Sequence, residues 1–389
     1  MISEAHRLGN IQEYYFSKKL EDVRQLRERG VDVINLGIGN PDLAPSSKVV
    51  DSLSISASNP SNHGYQGYKG IPELRDAISK FYHKVYGVNL DPESEVLPLL
   101  GSKEGISHIS MAYINQGDEV LVPNPGYLTY ASISHLAQAK VSSYNLDESN
   151  NWAVDIDDLE RRDLSKVKIL WVNYPNMPTG AKGSLALFDH LIQLACKHSF
   201  LICHDNPYSM ILNKSPLSIL QCDGAAEVVL ELNSLSKSHN MAGWRLGWLC
   251  GNAEYINTVM KVKSNIDSGM FLPIQHGGIE ALQASSEWHN KRNKIYEERK
   301  IYVLRLLDLL NCSYTDNQSG LFVWAKVNDA VEDVSAFCDD LLYDAHVFVT
   351  PGKIFGTNGE RYIRVSLCNN IDVLKESIRR IELYINKTK

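Results

Sequence analysis

The stretch Ser234-Leu-Ser-Lys237-Ser-His-Asn-Met-Ala-Gly243-Trp-Arg245-Leu-Gly247 follows a short apolar segment that is typical of a buried β-strand. It places one lysine between small hydroxyl side chains, with an arginine eight residues later. Serine hydroxyls, a planar guanidinium and neighbouring backbone amides together offer the donors that hold a phosphate. A lysine amine beside an anchored phosphorylated aldehyde is what a Schiff-base cofactor requires. Taken alone, the segment is explained equally well by a solvated lysine and a structural arginine.

A second polar motif, Cys203-His-Asp205-Asn-Pro-Tyr208, comes at the end of another apolar segment. In open α/β sheets, ligands bind beyond the carboxyl ends of the strands, which is where Asp205 is expected. A buried carboxylate there can keep a pyridine nitrogen protonated, and Tyr208 can donate to a ring hydroxyl. A turn aspartate beside a core tyrosine is at least as common an explanation of this motif alone.

Two further loops have compositions that suit a ligand site. The segment Asn173-Tyr-Pro-Asn176-Met177-Pro-Thr-Gly180 follows an apolar strand pattern, but by itself it indicates only a loop. The segment Gly101-Ser102-Lys103-Glu-Gly precedes an apolar helical pattern. It could present backbone amides to an anion at a helix N-terminus, although such segments are usually only helix caps.

Short apolar segments recur from Leu97 to about residue 250, and helical patterns such as Leu185–Lys197 separate several of them. This alternation predicts an α/β fold with a large, doubly wound, mostly parallel sheet. A further amphipathic helix is expected before Gly30, because the apolar residues of that segment recur at helical spacing.

The pattern changes after Gly277, where a long charged helical stretch is predicted from Ile279 to about Leu310. Shorter strands and a closing helix from about Ile371 to Ile385 follow it. We therefore predict a large domain over residues 46–284 and a smaller α/β domain formed from both termini, residues 1–45 and 285–389.

The composition favours small-molecule chemistry. The 389 residues include 39 Lys and Arg against 46 Asp and Glu, which gives a net charge of −7, and 44% of the residues are apolar. Without a basic block, neither nucleic acid nor an anionic membrane surface is an expected partner. No apolar run approaches the roughly 18 residues that a membrane helix needs. The seven scattered cysteines lack C-x-x-C spacing, so we expect reduced thiols and a cytoplasmic location.

The motifs together resemble those of class I/II pyridoxal-phosphate aminotransferases of fold type I. The matching elements, all collinear, are Tyr65-Gln-Gly-Tyr-Lys-Gly, Gly101-Ser-Lys, Pro125-Gly-Tyr127, Asn-x-Pro-Asn-x-Pro-Thr-Gly, Asp205-x-x-Tyr208 and Ser-x-Ser-Lys-x-x-Asn-Met-x-Gly-x-Arg-Leu-Gly. With Gly39 and Arg364 the matches span nearly the whole chain. The resemblance implies pyridoxal 5′-phosphate as the cofactor, an amino acid and a 2-oxo acid as substrates, and a homodimer.

The resemblance also implies a role for each matching residue. Lys237 is expected to form the Schiff base and then act as general base, with Asp205 on the pyridinium nitrogen and Tyr208 on the 3′-oxygen as further catalytic residues. The remaining expected cofactor contacts are Ser102, Lys103, Tyr127, Asn176, Ser234, Ser236, Arg245 and, from a second subunit, Tyr65. The expected substrate contacts are Arg364 for the α-carboxylate, Gly39 and, at the mouth, Tyr14. No metal is expected.

One position departs from the family pattern. The family usually has Asn-Pro-Thr-Gly where this chain has Met177-Pro-Thr-Gly, and that asparagine normally contacts the 3′-oxygen of the cofactor. A thioether is only a weak acceptor, so the contact falls to Asn176 or Asn173, or to Tyr208 alone.

The expected reaction is amino-group transfer from an L-amino acid to a 2-oxo acid in two half-reactions. The segment Asn252–Gln275 has no arginine, unlike that of many dicarboxylate-specific relatives. The segments Leu36-Gly-Ile-Gly-Asn-Pro-Asp and Lys263-Ser-Asn-Ile-Asp-Ser-Gly, like the Tyr-Tyr-Phe-Ser start, look more like the diaminopimelate, alanine and methionine branch. A β-lyase or decarboxylase on the same fold, or a non-catalytic ligand sensor, is the alternative.

Overall fold

The computed structural model describes residues 2–9, 11 and 15–388. Its α-helices in chain order are α1 (Tyr15–Glu28), α2 (Ser47–Ala57), α3 (Pro72–Tyr86), α4 (Ser102–Tyr113), α5 (Leu128–Leu136), α6 (Ile156–Glu160), α7 (Leu185–His198), α8 (Ala225–Val228), α9 (Leu235–Ser238), α10 (Ala253–Lys263), α11 (Leu272–Leu282), α12 (Ser286–Leu309), α13 (Val334–Tyr343) and α14 (Ile371–Thr388). Its strands are β1 (Ile34–Asn35), β2 (Val96–Leu99), β3 (Glu119–Asn124), β4 (Lys140–Asn145), β5 (Val167–Val172), β6 (Leu201–Asp205), β7 (Val229–Ser234), β8 (Gly247–Gly251), β9 (Ser313–Tyr314), β10 (Phe322–Lys326), β11 (Val347–Phe348), β12 (Thr350–Pro351) and β13 (Tyr362–Ser366).

The largest sheet has the strand order β2-β8-β7-β6-β5-β3-β4. Strands β3 to β7 run parallel to their neighbours, whereas β8 is antiparallel to both β7 and β2. The predicted α/β class with a mostly parallel sheet is therefore confirmed. The strands β5, β6 and β7 are almost entirely buried, as expected for a sheet covered by helices on both faces.

This topology brings the predicted motifs to one edge of the sheet. Strands β5, β6 and β7 are adjacent and parallel, and they end immediately before Asn173, at Asp205 and at Ser234. Strand β2 is antiparallel to β8 and therefore has the direction of β7, so the N-terminus of α4 lies at the same edge. The carboxyl edge of the sheet is thus where the polar loops converge.

Of the two smaller sheets, the two-stranded one joins strands from both ends of the chain, whereas the four-stranded one is formed by strands within residues 313–366. Strand β1 pairs in parallel with β11, and β12-β13-β10-β9 form an antiparallel sheet in which Arg364 lies opposite Trp324 and Thr350. The domain boundaries at 45/46 and 284/285 remain a prediction. The largest hydrophobic cluster crosses both of them, since it includes Ile34, Leu170 and Tyr296.

The prediction of one long helix from Ile279 to about Leu310 is wrong. The chain forms α11 and α12 instead, with a break at residues 283–285. Ser285 begins α12 because its hydroxyl accepts a hydrogen bond from the amide of Trp288 at 3.2 Å, which is ordinary N-cap geometry. The helices predicted near residues 16–30, 185–197 and 371–385 correspond to α1, α7 and α14.

The sequence predicts no membrane-spanning helix, and helix length and hydropathy in the structure can be compared with that prediction. Across the described residues, none of the helices is long and apolar enough to cross a bilayer.

Candidate active site

A cavity of about 420 Å³ opens at the carboxyl edge of the large sheet. The predicted site residues that line it are Gly39, Ser102, Lys103, Tyr127, Asp205, Tyr208, Ser234, Ser236, Lys237, Arg245 and Arg364. They come from strand ends, helix starts and loops at the edge of the large sheet and from strand β13, so the fold collects residues separated by more than 300 positions. A larger cavity, of about 540 Å³, lies behind the 173–180 loop and contains none of these side chains.

Lys237 provides a half-buried amine to the cavity. It lies on the one-turn helix α9, and its Nζ donates to the carbonyl oxygen of Gly39 at 2.6 Å. Burial lowers the pKa of Lys237 from 10.5 to about 8, and the nearby guanidinium groups of Arg364 and Arg245 act in the same direction. A substantial fraction of the amine is therefore neutral, and able to act as a nucleophile or base, near physiological pH.

Asp205 is the cavity's buried carboxyl group. Its Oδ2 accepts a hydrogen bond from the hydroxyl of Tyr130 at 2.8 Å, whereas its buried Oδ1 has no hydrogen-bond partner among the described residues. Burial raises the pKa of Asp205 to about 6, and the hydrogen bond from Tyr130 opposes that rise. An unpartnered carboxylate oxygen in such a place is costly unless a donor arrives there.

Tyr208 and Tyr127 are the aromatic walls of the cavity. Burial raises the pKa of Tyr208 well above its usual value, so its hydroxyl stays protonated and can donate. The ring of Tyr127 lies edge-on to that of Tyr130, with centroids 5.5 Å apart. Tyr130 in turn stacks on Trp171 at 5.0 Å, which holds the hydroxyl that reaches Asp205.

The serine and arginine side chains converge at the N-terminus of α4. Arg245 donates to the hydroxyl of Ser236 at 3.4 Å and to the carbonyl of Ala242 at 2.8 Å. It passes so close to Gly101 that a Cβ atom there would lie 2.1 Å from Nη2. Gly101 also has φ +89°, a conformation that favours glycine. Backbone amides at a helix start, hydroxyls and a guanidinium together offer the donors that an anion requires.

Arg364 lies on β13 and also lines the cavity. It is buried, and its Nη2 donates to the carbonyl of Gly37 at 2.8 Å. Its Cζ lies 3.8 Å from the ring centroid of Phe322 and 4.6 Å from that of Phe355. Stacking of this kind fixes the plane of the guanidinium, which suits bidentate binding of a carboxylate.

Met177 contacts Arg364 directly, since Nη1 of the arginine lies 3.1 Å from the thioether sulfur. The loop that carries it is held by Asn173, whose amide donates to the carbonyl of Asp205 at 2.6 Å and whose Oδ1 accepts from the amide of Met177 at 2.7 Å. Asn173 and Met177 both line the cavity. Asn176 does not line it, because its side chain bonds within the loop to Asn173 and Thr179.

Two other predicted residues are not part of this cavity. Tyr65 is 94% exposed and lies away from the cavity of its own chain. Tyr14 lies outside the described residues.

Several supporting residues have no motif that marks them in the sequence. Tyr130 and Phe322 are of this kind, and so is Arg299, whose guanidinium binds both oxygens of Asp42 at 2.6 and 2.8 Å. That ion pair fixes the loop that contains Gly39. A Cβ atom added to Gly39 would lie 2.0 Å from the ring of Phe322, so the loop packs closely against this ring. The only sequence signal was the position of Asp42 in Gly39-Asn-Pro-Asp42.

Comparison with known proteins agrees with this geometry. A model of the family "Aminotransferase class I and II" matches residues 31–381. LL-diaminopimelate aminotransferases from Dehalococcoides mccartyi and Moorella thermoacetica are 40% and 38% identical to this chain over 380 and 389 residues, covering 97% and 99% of it and 98% and 99% of those proteins. A substrate-bound structure of BacF from Bacillus subtilis has a TM-score of 0.94 and 34% identity, covering 99% of this chain and 98% of that one. The chain therefore belongs to the class I and II aminotransferases, a family of generally pyridoxal-phosphate-dependent enzymes that transfer amino groups.

Proposed function

We propose that this aminotransferase binds pyridoxal 5′-phosphate through Lys237 and takes LL-diaminopimelate as an amino donor. The observation that carries the cofactor assignment is the unpartnered Oδ1 of Asp205, buried in the same cavity as a lysine of lowered pKa. A protonated pyridine nitrogen is a donor that satisfies this oxygen and provides the positive charge that favours the carboxylate.

The rest of the cavity also fits this cofactor. The cradle formed by Ser102, Ser234, Ser236 and Arg245 suits its phosphate. Tyr127 provides an aromatic surface beside the ring. When bound, the cofactor supplies an electron-accepting ring that stabilises negative charge at the α-carbon of the substrate.

The protein's own groups supply binding and proton transfer. Arg364 binds the α-carboxylate of the substrate and exchanges its weak contact with Met177 for a charge-assisted one. The amine of Lys237, with a pKa of about 8, takes the α-proton and returns it one step later as general acid. Burial keeps Tyr208 protonated, so its hydroxyl would be a donor to the ring oxygen of the cofactor.

The substrate assignment rests on the relatives named LL-diaminopimelate aminotransferase, at up to 40% identity over nearly the whole chain. Part of the cavity lining is apolar and includes Leu20, Ile38, Met177 and Phe322, the last two in contact with Arg364, which suits the methylene chain of this donor.

We infer a homodimer in which Tyr65 reaches the phosphate site of the partner. Tyr65 is almost fully exposed, and Tyr68 and Phe271 are also exposed, which supports a role for this aromatic side chain outside its own chain. Mixing Tyr65→Ala with Lys237→Ala subunits should regenerate one complete site per hybrid dimer, so activity should reappear; its absence would exclude the shared site.

The seven free cysteines support a reducing, cytoplasmic location.

The function is tested by the absorption spectrum of the reconstituted protein with single amino acids and no acceptor. LL-diaminopimelate should bleach the visible band of the bound cofactor, and 2-oxoglutarate should restore it. Lys237→Ala should abolish covalent attachment, whereas the exposed-lysine control Lys166→Ala should behave as the unmodified protein. Bleaching by alanine or methionine but not LL-diaminopimelate would overturn the donor assignment, and the absence of any band would overturn the cofactor assignment.

A further inference from the structure

Arg292, on α12, is a buried cation outside the cavity. Its side chain is 3% exposed, and no carboxylate among the described residues pairs with it. Burial lowers the pKa of its guanidinium to about 10, so the charged form persists at neutral pH at a cost in solvation. A cation in such a place needs acceptors that compensate for the lost water.

Those acceptors include two main-chain carbonyl groups, besides Nδ1 of His289 and Oδ1 of Asn293 on the same helix. Nη1 of Arg292 donates to the carbonyl of Ser238 and Nη2 to the carbonyl of Met210. Ser238 directly follows Lys237, and Met210 comes two residues after Tyr208. One planar guanidinium thus spans the two segments that carry the amine and the phenol of the site.

The local structure explains why such a clamp, one guanidinium that holds two backbone segments together, is needed. Helix α9 has only four residues, and a helix that short has almost no stability of its own. The carbonyl of Ser238 is one of its unsatisfied C-terminal acceptors, which a cation stabilises. The ring of Trp288, on the same helix as Arg292, lies 5.6 Å from Cζ of Arg292 and stacks on the ring of His239 with centroids 5.7 Å apart.

We propose that Arg292 is a positioning residue that fixes the segments of Lys237 and Tyr208 relative to each other, so that both groups meet the substrate in register. The inference rests on the roles proposed above for those two residues. It predicts a loss in turnover rather than in substrate binding, because Arg364, which binds the substrate carboxylate, belongs to another sheet.

Arg292→Lys keeps the charge but replaces the two-pronged donor with a single ammonium group, which cannot span both carbonyls in the same geometry. A displacement of the reacting groups by about 1 Å lowers turnover by about 100-fold, so we expect a fall in kcat of roughly 10-fold to 100-fold with KM nearly unchanged. The control is Arg305→Lys on the same helix, an exposed arginine whose Nη2 lies 3.5 Å from Glu382.

Arg292→Ala permits a rescue experiment. A cavity of about 250 Å³ is lined by His289, Asn293 and Met210, all of which contact the guanidinium. Millimolar guanidinium should therefore restore part of the kcat of Arg292→Ala, whereas ammonium at the same concentration should not. Neither ion should affect the Arg305→Ala control.

Hydrogen exchange of the cofactor-free protein gives a readout besides activity. The amides of residues 209–213 and 236–241 should lose protection in Arg292→Ala and regain it with guanidinium. An unchanged kcat in Arg292→Lys would overturn the proposal. So would guanidinium that restores the melting temperature of Arg292→Ala without restoring its kcat. If the unmodified holoenzyme transfers no amino group from any amino acid, the proposed function fails instead, whereas the exchange experiment still tests the clamp.

Discussion

The hydroxyl of Tyr130 donates to one oxygen of Asp205 at 2.8 Å, while the other oxygen of the same carboxylate is buried without a hydrogen-bond partner among the described residues. The tyrosine itself is held by stacking on Trp171. This arrangement orients the carboxylate so that its unpartnered oxygen is available to a ligand. The relationship makes Tyr130 a supporting residue of the proposed cofactor site.

Tyr130→Phe should weaken the binding of pyridoxal phosphate. The change keeps the stacking but removes a hydrogen bond that opposes the burial-driven rise of the Asp205 pKa, so less of the carboxyl group is charged at pH 7. Losing a hydrogen bond to a charged group costs about 1.5 kcal/mol, or roughly 10-fold in affinity. Equilibrium titration would measure it, with Tyr113→Phe at the far end of α4 as the control. Equal affinities in the three proteins would contradict the role.

The pH dependence of cofactor attachment follows from two pKa values. Lys237 has its pKa lowered from 10.5 to about 8 by burial, and the neutral amine is the nucleophile, so the attachment rate should rise with pH and level off above about 8. Asp205, with a pKa of about 6, loses its charge as the pH falls through that value, so cofactor affinity should fall on the acid side. Stopped-flow absorbance measures the rate, and a midpoint near 10.5 would contradict the lowered pKa.

Gly101→Ala should disrupt the phosphate cradle. A Cβ atom would lie 2.1 Å from Nη2 of Arg245, so the guanidinium must move. Gly117 is a matched control, since its φ of +90° is nearly equal to the +89° of Gly101 but open space surrounds it. We expect pyridoxal phosphate to bind roughly 10-fold more weakly to Gly101→Ala than to Gly117→Ala, from the loss of a charge-assisted contact. Pyridoxal, which lacks the phosphate, should bind both variants equally, and equal weakening for both ligands would contradict the assignment.

The convergence of Asp205 and Ser234 could be predicted from the sequence, because each ends an apolar segment and the carboxyl ends of parallel strands share one edge. The lysine motif suggested Schiff-base chemistry, and the family resemblance implied the roles of the remaining residues. The strand pattern was strong because these strands are buried on both faces and are therefore continuously apolar.

Three features could not be predicted from the sequence because they depend on individual side-chain contacts in the folded protein. The break at Ser285 depends on one side-chain cap within a continuous charged helical pattern, which periodicity does not detect. Asn173 rather than Asn176 faces the cavity because the loop closes on itself through Thr179. Arg292 is marked by no motif, since the two carbonyl groups that it joins, those of Ser238 and Met210, are distant from it in the sequence.

Met177→Asn should change the electronic state of the bound cofactor. The thioether offers no hydrogen-bond donor, whereas an asparagine amide can donate to the ring oxygen and stabilise its negative charge. The pH midpoint of the visible spectral change should therefore move downwards by about one pH unit. Asparagine also gives Arg364 a stronger acceptor than the sulfur now 3.1 Å from Nη1, so KM for the amino acid should rise. Met177→Leu preserves size without adding a donor and should keep the original midpoint. Identical midpoints in the asparagine and leucine variants would show that residue 177 does not reach the ring oxygen, which would leave that contact to Tyr208 and Asn173.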